Sequence, residues 1–178
     1  IEAREKAERL KREAEARYRV LAQTSPDCIK LIDKNGKLIF MNQTGILEHG
    51  FRTLEDAIGK DFTLITFKQE FQGKVKAALK SALRGKTTTL EVQHRSKGDH
   101  EWLLETFSPV KNDKNETECV LAVSRNITPL KQTTLELKSQ KEFIQDIIEN
   151  AGVPILAYRK EGSLLLTNQT LLALLGYR

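Results

Sequence analysis

The chain has 178 residues, room for one domain of ordinary size with some additional segments. Its hydrophobic content of 39% supports one compact core, and no apolar run approaches the roughly 20 residues of a membrane span. The net charge of +5 would suit a nucleic-acid partner. However, the charges of the first segment alternate in sign and form no one-signed patch interleaved with aromatics, so no nucleic-acid contact is expected.

Residues 1–21 read as a helix. Arg4, Glu5, Lys6, Glu8, Arg9, Lys11, Arg12, Glu13, Glu15 and Arg17 suit i,i+4 pairs on a solvated surface. Ala3, Ala7, Leu10, Ala14 and Leu21 fall on a heptad seam made mostly of alanine, consistent with a short coiled coil or a lone solvated helix. The chain opens inside this helical pattern and reads as a segment of a larger protein.

A strand-rich block follows. Cys28–Asp33 is a short apolar run, Lys34-Asn35-Gly36 supplies an Asn-Gly hairpin turn, and Lys37–Met41 returns as the second strand. Asn42 is placed to cap a short helix over Gln43–Glu48 that stops at Gly50. Residues 51–67 read as irregular turns with a short helix, broken at Gly59. Residues 68–84 form an amphipathic helix with Phe71, Val75, Ala78, Leu79 and Ala82 on one face and Gly85 as its stop. Three strands are expected next, over Thr87–Arg95, His100–Val110 and Glu118–Asn126, with turns at Lys97-Gly98-Asp99 and Asn112–Asn115. The order β-β-α-α-β-β-β predicts an α+β fold, a five-stranded antiparallel sheet with helices on one face. Thr128-Pro129 then opens another helix to about Asn150, with Leu130, Leu137, Ile144, Ile147 and Ala151 in heptad spacing. The domain boundaries follow: a linker helix at 1–21, a domain at 22–128, a connecting helix at 129–150 and a further unit at 151–178.

That last unit repeats the first at an offset of 126 residues. Lys34, Gly36, Leu38, Asn42-Gln43-Thr44, Gly50 and Arg52 recur as Lys160, Gly162, Leu164, Asn168-Gln169-Thr170, Gly176 and Arg178, without a gap. Turn, cap and helix stop recur in register. The second copy has no later strands within this chain, so it is expected to be poorly ordered or to lean on a neighbouring chain.

Ser25-Pro26-Asp27, the Asp33–Gly36 hairpin, Asn42, Gly98-Asp99-His100-Glu101-Trp102 and Arg125-Asn126-Ile127-Thr128 together resemble the PAS family with its C-terminal PAC segment. The resemblance covers about 18–130, with a partial second match from about 143. It implies a sensor module, often in tandem, upstream of a histidine kinase or a diguanylate cyclase, relaying its signal through helical linkers that pair in a homodimer. In the family an acid stands where this chain has Asn126, and it couples the last strand to the outgoing helix. Asn126, Ile127 and Thr128 are thus the expected relay, with any salt bridge there in doubt.

The family's ligand pocket lies between sheet and long helix. The matching face offers Phe71, Val75, Leu79, Leu90, Val92, Trp102 and Leu104, which line a small-molecule pocket or simply fill the core. His49, His94 and His100 have no metal-ligand spacing with Cys28 or Cys119, and no metal site is expected. The two cysteines read as buried free thiols of a reducing, cytoplasmic environment, although the parent protein could be membrane-anchored. The four Asn-x-Thr sequons, at Asn42, Asn115, Asn126 and Asn168, are assigned structural roles. The 68–84 helix contains no histidine, so haem held from that helix is not expected. The flavin photosensor signature Asn-Cys-Arg-Phe-Leu-Gln is absent, which argues against covalent flavin and leaves a non-covalent small molecule open. His94 shares a face with Leu90 and Val92 but is expected near solvent at a strand end. No phosphate loop or nucleophile elbow appears, so no enzyme activity is expected of this segment.

Overall fold

The structure is a computed structural model that describes residues 2–94 and 101–177. It separates into two units, residues 1–128 and 129–178.

In the first unit, α1 (Glu2–Gln23) is a solvated helix with i,i+4 pairs Arg4–Glu8, Arg9–Glu13 and Lys11–Glu15. β1 (Cys28–Ile32) and β2 (Leu38–Met41) form a hairpin whose turn places Gly36 at φ +79°, a conformation that favours glycine. The short helices α2 (Gln43–Glu48) and α3 (Phe62–Thr66) follow, capped by the side chains of Asn42 and Asp61. Then come α4 (Gln69–Leu83), β3 (Thr88–Gln93), β4 (Trp102–Lys111) and β5 (Thr117–Asn126). The five strands form one antiparallel sheet, as expected from the sequence, and lie in the order β2-β1-β5-β4-β3. The core lies between the sheet and α4, built on Ile32, Leu38, Phe62, Phe67, Val75, Val92, Leu103, Phe107 and Val120. The turn expected at Lys97-Gly98-Asp99, and Arg95 and His100 at the adjoining strand ends, lie outside the described residues.

Gly45, inside α2, is required by close approach. A Cβ there would stand 2.5 Å from Cys28 Sγ and 2.6 Å from Met41 Cγ. Gly45→Ala should therefore destabilise the domain by about 1–3 kcal/mol through overpacking. Thermal unfolding of that variant at an unchanged midpoint would contradict the close approach.

In the second unit, α5 (Thr128–Glu149) buries no residue along its length. β6 (Leu156–Tyr158) and β7 (Leu164–Thr167) pair with each other, and α6 (Gln169–Leu174) follows. The hairpin-plus-helix of the first unit is thus repeated, and among the described residues its two strands join no larger sheet.

Candidate functional site

The repeat extends to individual hydrogen bonds. The Asn42 side chain is fully buried. Its Nδ2 donates to Ala22 O, at the end of α1, and to Asp27 O, while its Oδ1 accepts from Ile29 N and Gly45 N. Asn168, also fully buried, makes the same four bonds 126 residues on, to Ile148 O, Val153 O, Ile155 N and Leu171 N. Thr44 Oγ1 donates to Ser25 O, and Thr170 Oγ1 to Ala151 O. The sequence marked Asn42 as a helix cap. It is also a clamp on the end of the preceding helix.

At the same end of the sheet lies the expected relay. Asn126 Oδ1 accepts from Thr128 N and so caps the start of α5. Trp102 N donates to Thr128 Oγ1, and Ile127 N donates to Trp102 O, both at 2.8 Å. The ion pair at this junction comes from the preceding residue: the Arg125 guanidinium donates from Nε and Nη2 to the Asp27 carboxylate. Asp27 precedes β1 directly, so the segment leaving α1 and the segment entering α5 are fastened together.

Of the pocket residues expected from sequence, Val75, Leu79 and Val92 are buried in the core, and Phe71 and Leu90 pack against it. Trp102 contributes an edge-on ring contact to Phe71 at 6.1 Å. Leu104 is a correction. It alternates with the buried Leu103, Glu105 and Phe107 and therefore lies on the sheet face turned away from the core.

The core holds a feature that the sequence did not suggest. Lys30 from β1, Glu105 from β4 and Ser124 from β5 are all buried among the aromatic rings. Register brings them together, since Ser124 lies opposite Cys28 on β1 and Glu105 on β4. Lys30 Nζ stands 3.1 Å from Glu105 Oε1 and donates to Ser124 Oγ, which donates in turn to Glu105 Oε2. Glu105 Oε1 receives no aligned hydrogen bond. The ammonium also lies 5.1 Å from the Phe62 ring centre and 5.9 Å from that of Phe67. Burial alone pushes Lys30 toward neutrality, but Cys28 and Glu105 oppose it and hold its pKa above the ordinary lysine value. Burial is the main cause that pushes the Cys28 thiol up to about 11, so it is no nucleophile at neutral pH.

Beside this cluster, His94 Nε2 and His49 Nδ1 are hydrogen-bonded at 2.9 Å. His94 was expected near solvent. It is buried instead, because the strand end is covered by the Phe67 backbone bridge and by His49. Among the described residues, no group of three or more His, Cys, Asp or Glu side chains could hold a metal ion. None of their helices is long and apolar enough to cross a membrane.

A five-stranded antiparallel sheet in this order, packed against a long helix and followed by a capped outgoing helix, is an α+β architecture. Residues 22–132 match the family described as the PAS fold, and the chain belongs to that family, whose domains serve in signal sensing. Among solved structures, the chain is similar to a PAS domain from Colwellia psychrerythraea, at 23% identity and TM-score 0.55, over 67% of this chain and 98% of that one. It is also similar to the PAS domain of an HTR-like protein from Haloarcula marismortui, at 21% identity and TM-score 0.56, over 69% and 99%. A third likeness is to the PAS domain of BvgS from Bordetella pertussis, at 17% identity and TM-score 0.50, over 72% and 98%. At these identities the likeness is one of fold. No curated protein sequence matches the chain.

Proposed function

We propose that this chain is the cytoplasmic input module of a signal-transduction protein and that its output domain is a histidine kinase. In this reading the first unit senses a small ligand or a partner. The state of its sheet passes through Asn126, Ile127 and Thr128 into α5, and two chains pair through their linker helices. Catalysis belongs to the output domain and not to this segment. The observation that carries the reading is the junction of Asp27 with Arg125 and of Trp102 with Ile127 and Thr128, which fastens both linker helices to central strands. The apolar seam of α5 supports pairing, because Leu130, Leu137, Ile144 and Ile147 are all exposed at heptad spacing.

One residue inserted within 131–142 rotates everything beyond it by about 100° and breaks the seam's phase. In the full-length protein this insertion should abolish regulation of autophosphorylation while leaving thermal unfolding of the PAS domain unchanged. Regulation that survives it would remove the relay.

A second reading, a ligand-free dimerisation scaffold, is favoured by Lys30, whose own side chain occupies the centre of the core. An absorption spectrum with native mass spectrometry separates the two. A co-purifying molecule supports the sensor of a small ligand, and an empty dimer supports the scaffold. A diguanylate cyclase in place of the kinase leaves both readings of the input module intact.

A further inference from the structure

The 2.9 Å bond between His94 Nε2 and His49 Nδ1 requires one nitrogen to carry a proton and the other a lone pair. With both rings protonated, two N–H groups would face each other and two charges would share a buried site. The other nitrogen of His94, Nδ1, is buried without a hydrogen-bond partner. Lys30 on β1 reaches both rings; Glu48, next to His49 on α2, is in turn reached by Lys30, by Glu101 and Glu105 on the β4 side and by Asp27 ahead of β1; and Lys68, ahead of α4, bonds Gln93 next to His94. Lys30 is the cation among them that opposes protonation of both rings.

We propose that this bond is an acid-sensitive latch joining the end of α2 to the end of β3, and that its opening loosens the strand end that holds the start of the outgoing helix. The connection is short. His94 N donates to Glu101 O, and the next residue, Trp102, bonds Thr128 Oγ1 and Ile127 N. Closed, the latch rejects protons: burial and then Lys30 lower His94 to about 4, and burial, Lys30 and His94 lower His49 to about 2. Open, both rings meet water and return to the ordinary imidazole pKa of about 6.5. Opening therefore takes up protons. The closed state has its full advantage above about pH 6.5 and loses it as the pH falls. Between pH 7.5 and 5.5 the opening constant should rise about tenfold for each histidine, or about a hundredfold for the pair. The latch extends the sensor reading, because transmission to the output rests on the same junction.

Amide hydrogen exchange at His94, Trp102 and Ile127, corrected for the intrinsic chemistry, reads the opening constant. Fluorescence of Trp102, the single tryptophan, follows the same event. The hundredfold rise is expected in the native protein, about tenfold in His49→Asn and in His94→Asn, and none in the double variant. Glu48→Gln, which removes the neighbouring carboxylate of raised pKa, should leave the slope unchanged. A flat native profile, a slope that follows Glu48, or exchange no faster than at Ile32 and Val120 overturns the latch. If the histidine variants fail to fold, an NMR titration of the native protein decides: imidazole pKa values below about 5 support the latch, and ordinary values overturn it. The outcomes separate from the relay reading. Loss of the pH slope removes the latch alone, whereas regulation that survives the one-residue insertion removes the relay alone.

Discussion

Lys30→Leu is expected to destabilise the PAS domain by about 3–5 kcal/mol in urea denaturation, because it strands the Glu105 carboxylate in the core. The size of the loss reports the unpaired charge and not the net value of the pair. The double variant Lys30→Leu/Glu105→Leu should accordingly recover most of it, and could exceed the native protein by about 1–4 kcal/mol. A Lys30→Leu loss below about 1 kcal/mol would mean that the carboxylate finds water or a proton, and the ionic centre would lose its structural meaning. The repeat supports the choice of leucine. The second copy carries Leu156 where the first has Lys30, Pro154 for Cys28 and Leu175 for His49. Hairpin and helix form without these groups, so the polar interior is a property of the first copy and not a requirement of the hairpin-plus-helix unit.

Asn42→Ala is the second large effect, a loss of about 4 kcal/mol. It removes a buried side chain with four backbone partners and leaves their polar groups unmet, at about 1 kcal/mol or more each. Asn42→Asp keeps the acceptor for Ile29 N and Gly45 N but cannot donate to Ala22 O and Asp27 O, so about half of that loss is expected. No loss in Asn42→Asp beside the full loss in Asn42→Ala, in the same denaturation experiment, would show that the grip on α1 contributes nothing.

The sequence was most readable where local chemistry decides conformation. The Asn35-Gly36 turn, the Asn42 cap, the Gly85 stop and the amphipathic face of α4 each stand where their residues require, and the repeat made the second hairpin legible as well. What stayed hidden depends on which face of a strand turns inward. In β1 the buried positions are Cys28, Lys30 and Ile32, a regular alternation in which lysine takes a core place. In β4 both faces carry apolar residues. Trp102 and Leu104 were read as the inner set, whereas Leu103, Glu105 and Phe107 are the buried positions. A lysine and a glutamate at in-phase positions of two strands that share a neighbour were the available signal. Reading it needs the strand order, which only the assembled sheet supplies. His94 escaped for a related reason, since its cover comes from His49, 45 residues away in sequence.

The doubled asparagine grip has a consequence for how such chains can be built. Asn42 and Asn168 seize the last turn of the preceding helix at equivalent carbonyls, Ala22 and Ile148. The span between them is therefore an interchangeable cassette. Excising residues 43–168 would join α1 and Asn42 directly to the residues that follow Asn168, with one complete socket at the splice. A protein of this design can gain or shed whole sensors in steps of 126 residues while each remaining rod is still gripped through the same four asparagine bonds.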